Sequence, residues 1–277
     1  MHIEMGPQGE FEFSAVAPYL ALLGDIGQPK KPNYKQFLLK QAQRFQKVFV
    51  LAGNHEFFNH SWAECRNDIE QICASHPNLV FMDRRSVIVD HVKFVGATLW
   101  SHVSDSAGPG TEKRWNDYTQ IGVFESGKKR NIKYTDTNQW YKDDLKYIKE
   151  EISTSKHPVV VLTHHCPLFS SPGCATDLSS VMKSPVAAWC YGHTHQSTNL
   201  FKKKVRVLSN QLGYEYCMGE KDPAFKTELV LGIDESGKTW TWRADSRDKP
   251  VQKEEIKAVI LPVPAPPPLP PTNKLKK

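Results

Sequence analysis

Short apolar segments alternate along this chain with segments whose apolar residues recur at helical spacing. In "YKQFLLKQAQRFQK", Leu38, Ala42 and Phe45 share one stripe, and the apolar run "VFVLAG" follows directly and ends at a glycine. Further strand-like runs are "NLVFMD", "SVIVDH", "VKFVGATLW", "PVVVLTHH", "AAWCYGHTH" and "VRVLSNQLGY". Strands that alternate with helices predict an α/β fold of two or more layers.

Helix starts and one hairpin can also be placed from the sequence. Ser61 and Glu64 have the spacing of a capping box ahead of "SWAECRNDIEQIC". We expect Thr137 to cap a later helix, and "ELVLGIDESGKTWTWRAD" predicts a hairpin that turns at residues 235–238. The core face of the later helix should consist of Tyr141, Leu145, Ile148 and Ile152.

Composition indicates a cytoplasmic globular protein. No apolar run approaches the roughly 18 residues of a membrane span, and the N-terminus lacks the pattern of a secretory signal. Six cysteines are spread over 277 residues without framework or C-x-x-C spacing, which favours reduced thiols. The net charge of +6 is modest, and the basic stretches "FKKKVR" and "GKKR" are typical of solvated hairpins, so we do not expect nucleic-acid binding.

The C-terminal part of the chain differs in character from the rest. "LPVPAPPPLPP" places seven prolines between Leu261 and Pro271, and this composition is typical of an extended polyproline II segment. We predict one folded domain over residues 1–245 and a disordered tail over residues 246–277. The tail is either a ligand for SH3- or WW-type modules or a solvated linker, and we favour the linker.

Residue types that bind metals follow four of the predicted strands. Glycine precedes three of these positions, which allows a sharp turn after the strand. Imidazole combined with carboxylate and amide oxygen suits Zn, Mn or Fe, and loops beyond strand ends commonly build ligand sites. The stretches are "LGDIG" (Asp25), "AGNHE" (Asn54, His55), "LTHHCP" (His164, His165) and "YGHTH" (His193, His195).

In this order, GD…GNHE…THHxP…GHTH resembles the motif set of the calcineurin-like metallophosphoesterases. "GATLW", "WNDY", "NQLGY" and "DPAF" extend the resemblance over most of the first 235 residues. It implies a four-layer sandwich of two mixed β-sheets flanked by helices. It also implies metal-dependent hydrolysis of a phosphomonoester or phosphodiester by water that two divalent ions activate. Mn, Fe and Zn are the candidate ions; the substrate is left open.

The resemblance also implies a role for each matching residue. Strand alternation lets only one of His164 and His165 point inward, and the family pattern favours His164, with His165 near the rim. His55 or His165 would be the general acid, and Glu56 would orient His55. Asp25 would bridge both metals, Asn54, His164 and His193 would hold the second metal, and His195 would bind the first.

His2 is the open question of this assignment. The family's first strand ends in D-x-H, and His2 matches the histidine, whereas the aspartate would fall before Met1. His2 is therefore either a ligand of the first metal or part of a frayed terminus, and we do not expect Glu4 to replace the aspartate. The lost aspartate keeps a rival function open, that of a catalytically impaired member acting as a scaffold through its tail.

Four further residues are candidates for supporting the site. Asn116 and Asp117 either lie near the pocket mouth or cap a helix, and we favour the cap slightly. Asn210 and Tyr214 in "SNQLGY" are expected to support the site from a following strand.

Overall fold

The structure is a computed structural model that describes residues 1–4, 11–214 and 220–243. The predicted tail and Cys217 lie outside these ranges, so the domain boundary at residue 245 stays a prediction. The five cysteines within the ranges are free thiols, as expected. No helix in the described part of the chain is long and apolar enough to cross a membrane.

A three-stranded parallel sheet brings two of the predicted motifs together. It consists of β1 (Tyr19–Leu23), β2 (Lys47–Leu51) and β4 (Leu79–Phe81), with β2 in the middle. Leu23 at the end of β1 pairs with Leu51 at the end of β2. The loops that follow both strands therefore leave the sheet at the same edge.

A second, six-stranded sheet carries the other two motifs. Its four central strands are parallel and its two edge strands are antiparallel, so the sheet is mixed. The loops after the adjacent strands β9 (Val159–Thr163) and β10 (Val186–Cys190) carry these two motifs. The strand order is β11 (Thr198–Lys202), β12 (Val205–Ser209), β10 (Val186–Cys190), β9 (Val159–Thr163), β6 (Val92–Ala97) and β5 (Arg85–Val89).

The two sheets face each other and are covered by helices on their outer faces. Phe49 of the first sheet stacks on Phe94 of the second, with ring centroids 4.5 Å apart. Phe49 and Leu162 belong to one buried cluster, whereas the alternate residues Val50 and Val161 belong to another that includes helical side chains. Both sheets are thus buried on two faces, and the predicted four-layer architecture is confirmed.

Three long helices supply the outer layers: α1 (Pro32–Arg44), α2 (Trp62–Ala74) and α5 (Tyr134–Ser153). At the start of α2 the Ser61 side chain accepts a hydrogen bond from the Glu64 amide, which confirms the predicted cap. Two short helices, α3 (Gly108–Arg114) and α4 (Asp117–Gln120), precede α5.

The cap predicted for α5 is wrong by one helical turn. The helix begins at Tyr134, where the Asp136 side chain accepts a hydrogen bond of 2.7 Å from the Lys133 amide. Thr137 is buried inside the first turns, and its hydroxyl donates to the Tyr134 carbonyl. Of the predicted core face, Leu145 is only partly buried, and the buried Asp144 takes a place beside it.

The remaining strands form small sheets at the periphery. β3 (His60–Ser61), β7 (Ile121–Glu125) and β8 (Lys128–Asn131) make one, and β13 (Gly213–Tyr214) pairs with β14 (Glu220–Lys221). β15 (Leu229–Ile233) and β16 (Thr239–Arg243) form the predicted hairpin. The two basic stretches lie at the turns of the β7–β8 and β11–β12 hairpins, as expected.

Candidate metal centre

Four loops that carry candidate metal ligands meet where β1, β2, β9 and β10 end. Asp25 lies two residues beyond β1, Asn54 three beyond β2, His164 directly after β9 and His193 three after β10. Because neighbouring parallel strands end at one edge, motifs up to 168 residues apart in sequence become neighbours. The sequence prediction that these loops form one site agrees with this placement.

Two glycines allow the loops to approach one another this closely. Gly24 has a φ of 85°, a conformation that favours glycine, and a Cβ there would lie 2.5 Å from the Gly53 amide nitrogen. A Cβ on Gly53 would lie 2.5 Å from His164 Cε1 and would also collide with an Asp25 carboxylate oxygen. Both positions therefore require glycine because a side chain would separate the ligands.

The strand-end group consists of Asp25, Asn54, His164 and His193. His164 Nε2 lies 3.4 Å from Asp25 Oδ1, 3.2 Å from Asn54 Oδ1 and 3.1 Å from His193 Nδ1. Asn54 Oδ1 is also 3.1 Å from His193 Nδ1. Four nitrogen and oxygen atoms thus converge on one point.

Hydrogen bonds on the far side of each ligand determine which atom faces that point. His164 Nδ1 donates to the Leu23 carbonyl at 2.7 Å, which leaves Nε2 without its proton in the neutral ring. His193 Nε2 faces the Gly173 carbonyl at 3.2 Å and likewise leaves Nδ1 as a lone-pair donor. The Asn54 amide nitrogen donates to Asp117 at 2.8 Å, so its carbonyl oxygen faces inward.

This arrangement fits a divalent cation. Lone pairs that face one another at about 3 Å repel unless a proton or a cation lies between them. Burial and the neighbouring His164 lower the pKa of His193 to about 3, so this ring stays neutral. Burial opposes protonation of His164 too, but the charge of Asp25 and the hydrogen bonds to Asp25 and the Leu23 carbonyl together raise the pKa of His164.

The N-terminal group consists of His2, Asp25 and His195. His2 Nε2 lies 3.2 Å from His195 Nε2 and 3.8 Å from Asp25 Oδ2. Burial and the neighbouring His2 lower the pKa of His195 to about 4. Asp25 belongs to both groups, one oxygen facing each, so the three ligands could hold a second cation beside the first.

His2 is packed into the protein and is not a frayed terminus. Its side chain is 2% exposed, and its amide donates to the Asp25 carbonyl at 2.8 Å. The next residue, Ile3, donates in the same way to Ile26 at 2.9 Å. This short ladder places His2 opposite His195.

Gln211 fixes the position of His195 and was not predicted from the sequence. Its Oε1 accepts a hydrogen bond of 2.7 Å from the His195 amide, and its Nε2 donates to Thr194 at 2.8 Å. The predicted neighbour Asn210 instead exchanges hydrogen bonds with the backbone of Lys226, so it braces a distant loop. The sequence signal that could have indicated Gln211 is its place as a polar residue two positions after the end of β12.

Glu56 does not orient His55, contrary to the prediction. Its buried carboxylate accepts hydrogen bonds from the amides of Asp25, Ile26, Gly27 and Gly53 at 2.7–3.3 Å. It thereby ties the loop after β1 to the loop after β2. Its contribution is to hold two ligand loops together.

His55 is oriented by two other residues. Its Nδ1 lies 3.2 Å from Glu4 Oε1, and its Nε2 lies 3.4 Å from the Tyr214 hydroxyl. Burial alone would lower the pKa of His55, but the charges of Asp25 and Glu4 raise it to about 9. Tyr214 also packs 4.4 Å from the His2 ring, so it lies beside the site as predicted.

His165 lies behind the strand-end group and not at the rim where it was predicted. It is 1% exposed, and its ring is 4.4 Å from that of His193 and 5.3 Å from that of Trp100. Burial lowers its pKa well below the usual range. Strand alternation does turn it away from His164, but the side it faces is covered.

Asp117 and Asn116 differ in the structure. The buried Asp117 holds the Asn54 amide, whereas Asn116 is exposed at the start of α4 without a side-chain capping bond. Neither side chain caps the helix in the predicted way. The adjacent Trp115 ring stacks on His193 at 5.7 Å and its indole donates to the Pro172 carbonyl, which places it at the edge of the site.

The sequence of this chain is similar to those of known proteins. Residues 12–197 match the family described as calcineurin-like phosphoesterase. The uncharacterized protein L509 of Acanthamoeba polyphaga mimivirus is 33% identical over 221 residues, covering 72% of this chain and 79% of the viral protein.

Two solved structures are also similar. The phosphopantetheinyl hydrolase PptH from Mycobacterium tuberculosis superposes with a TM-score of 0.55 at 16% identity, over 72% of this chain and 80% of the hydrolase. The protein TT1561 of Thermus thermophilus superposes with a TM-score of 0.44 at 11% identity, over 82% and 87% of the two chains. The likeness to the hydrolase supports the shared fold.

Proposed function

This chain belongs to the calcineurin-like phosphoesterases, and on that premise we propose that it hydrolyses a phosphoric monoester or diester with two divalent metal ions. One observation carries the proposal: Asp25 presents one carboxylate oxygen to each of two groups of lone-pair donors. A carboxylate shared in this way can bind a pair of closely spaced cations and offset part of their repulsion.

Each ligand group would hold one ion. Asn54, His164 and His193 would bind one ion, His2 and His195 the other, and Asp25 both. The mixture of imidazole, carboxylate and amide oxygen suits Mn, Fe or Zn. When bound, the ions supply the positive charge that activates water and neutralises phosphoryl oxygens.

His55 would donate a proton to the leaving oxygen. Its backbone amide donates a hydrogen bond to Asp25 Oδ1 at 3.0 Å, which places His55 beside the candidate metal centre. Its side chain is 12% exposed, so the ring is accessible from solvent. His165 was the other candidate, but a ring that is 1% exposed behind His193 has no path to a substrate. We therefore assign the proton to His55.

Metal content and hydrolysis, measured on the same preparations, test the proposal. The full chain is stripped with EDTA, reloaded with Mn, Zn or Fe and supplied with p-nitrophenyl phosphate or bis-p-nitrophenyl phosphate. We expect two bound ions per chain, one for each ligand group, and hydrolysis of at least one ester that EDTA abolishes.

His164→Ala and the matched control His102→Ala, which replaces an exposed histidine, separate the site from general effects. His164→Ala should lose hydrolysis and at least one ion, and the control should keep both. A wild-type chain that binds no metal and hydrolyses neither ester would contradict the proposal and favour the scaffold function.

A further inference from the structure

The Glu4 carboxylate lies between two histidines of the centre. Its Oε1 is 3.3 Å from His2 Nδ1 and 3.2 Å from His55 Nδ1, and the two rings meet edge to face with centroids 4.4 Å apart. The side chain is only 3% exposed. A single buried oxygen therefore faces one nitrogen of a proposed metal ligand and one of the proposed proton donor.

The backbone around Glu4 is anchored, so this contact is a fixed feature of the fold. The Glu4 carbonyl accepts a hydrogen bond from the Lys31 side chain at 3.0 Å, and the Ile3 carbonyl accepts one from Asn33 at 3.1 Å. Both donors lie at the start of α1 and leave the carboxylate directed inward.

An ionised carboxylate only accepts hydrogen bonds, and the chemistry of the contact follows from this. His2 Nδ1 and His55 Nδ1 must therefore both carry a hydrogen and donate a hydrogen bond to Glu4. In neutral His2 the lone pair is then on Nε2, the atom that faces His195 and Asp25. In His55 the Nε2 atom is directed toward Tyr214 and the exposed side of the ring.

The other oxygen of Glu4 strengthens the case for a dedicated role. Glu4 Oε2 is buried and has no hydrogen-bond partner among the described residues. Burying a charged group with one oxygen unsatisfied costs stability, so the carboxylate is not explained by folding alone.

We propose that Glu4 is a positioning residue that orients His2 for metal binding and His55 for proton transfer at the same time. This inference rests on the proposed function for the role of His55. A carboxylate behind a metal-binding histidine fixes the ring and its tautomer, and loss of such a partner costs about 10–100-fold in metal affinity or activity. Here one carboxylate would do this for both residues.

The kinetic test compares Glu4→Ala and Glu4→Gln at saturating Mn, with Glu12→Gln as a control for a surface carboxylate of the same N-terminal segment. Glu4→Ala should lower kcat by about 10–100-fold with little change in KM. Glu4→Gln keeps a carbonyl acceptor and should recover most of that loss. In a His55→Ala background, Glu4→Ala should change kcat less than about threefold, because its effect passes through His55.

Metal titration reports on His2 independently of activity. Glu4→Ala should lower the affinity for one of the two ions about 10–100-fold and leave the affinity for the other unchanged. Loss of one whole equivalent in Glu4→Gln would overturn the proposal, since it would make Glu4 itself a ligand. Equal losses of kcat in the wild-type and His55→Ala backgrounds would overturn it as well.

NMR of the Zn-loaded protein, with histidines labelled with ¹⁵N, keeps the test valid if no ester is hydrolysed. We expect protonated Nδ1 atoms on His2 and His55 in the wild type and in Glu12→Gln, and loss of both slowly exchanging signals in Glu4→Ala. Unchanged signals would refute the positioning role, whereas absent hydrolysis alone would refute only the proposed function.

Discussion

The two ligand groups share Asp25 but are held in different ways. In the strand-end group, the outer atoms of His164 and His193 contact backbone carbonyls, and Asn54 is held by a buried carboxylate. In the N-terminal group, His2 is held by the side chain of Glu4, and His195 by its own amide bonded to Gln211.

This difference predicts unequal metal affinities. The Leu23 carbonyl that holds His164 lies at the end of β1 and is fixed by the sheet, so the strand-end group needs little ordering when it binds an ion. In the N-terminal group, His2 is held by the Glu4 side chain and His195 by the Gln211 side chain, and ordering these side chains costs conformational entropy. We therefore expect the strand-end group to bind its ion more tightly, and the following predictions examine that difference.

Asp25→Asn should have the largest effect because it affects both groups. It replaces the shared carboxylate with an amide that keeps the shape but loses the charge. Transition-state charge stabilisation by metal ions is worth several kcal/mol, and about 1.4 kcal/mol is a factor of ten, so hydrolysis should fall by at least about 10³-fold.

Metal content of Asp25→Asn checks this explanation. We expect both ions to be weakened in a titration followed by elemental analysis. A variant that keeps two tightly bound ions would show that the groups are independent and that Asp25 is not shared.

His193→Ala and His195→Ala separate the groups from each other. Each removes one imidazole nitrogen, and each should weaken a different ion by more than the roughly 10–100-fold expected for an outer partner. His195→Ala should retain the tighter ion and His193→Ala the weaker one, as measured by competition with a chromogenic chelator. The reverse order of retained affinities would contradict the ranking of the two groups.

Gly53→Ala should disturb the strand-end group without removing a ligand. The added Cβ would lie 2.5 Å from His164 Cε1, so the loop after β2 must move. A displacement of about 1 Å can cost roughly 10²-fold in rate, and we expect a loss of this size with a matching loss of affinity for the tighter ion. Gly110→Ala in α3 is the matched control, because Gly110, like Gly53, has no positive φ and the added Cβ would have no heavy atom within 4 Å.

Features that depend on neighbouring residues could be predicted from the sequence, whereas contacts between residues far apart in the sequence could not. The Ser61 cap and the strand-end ligands follow from residues that are adjacent in sequence or that end apolar runs. The contacts of Glu4 with His55, of Asp117 with Asn54 and of Gln211 with His195 span 51, 63 and 16 positions, and no local pattern predicts them. His165 shows the limit of alternation, which gives the side that a residue faces but not what covers it.

Asp117→Ala and Gln211→Ala should have the smallest effects, and they test the comparison most directly. Neither residue touches the proposed ions; Asp117 holds the Asn54 amide and Gln211 holds the His195 amide. Each substitution should weaken metal affinity about tenfold, which is the lower end of the range for residues that hydrogen-bond to metal ligands. Only the ion of the substituted residue's own group should be affected. Isothermal titration with Mn gives both dissociation constants in one experiment.

The chemistry of the two contacts makes the expected patterns distinct. Without Asp117 the Asn54 amide can rotate and present its NH₂ group to the ion, so the tighter constant should rise. Asp117→Asn keeps an acceptor oxygen and should return the tighter dissociation constant to its wild-type value. Without Gln211 the His195 backbone loses its only acceptor among the described contacts, and the weaker constant should rise alone. If both variants weakened both ions equally, the two groups would form one mechanical unit, and their different anchoring would not matter for binding.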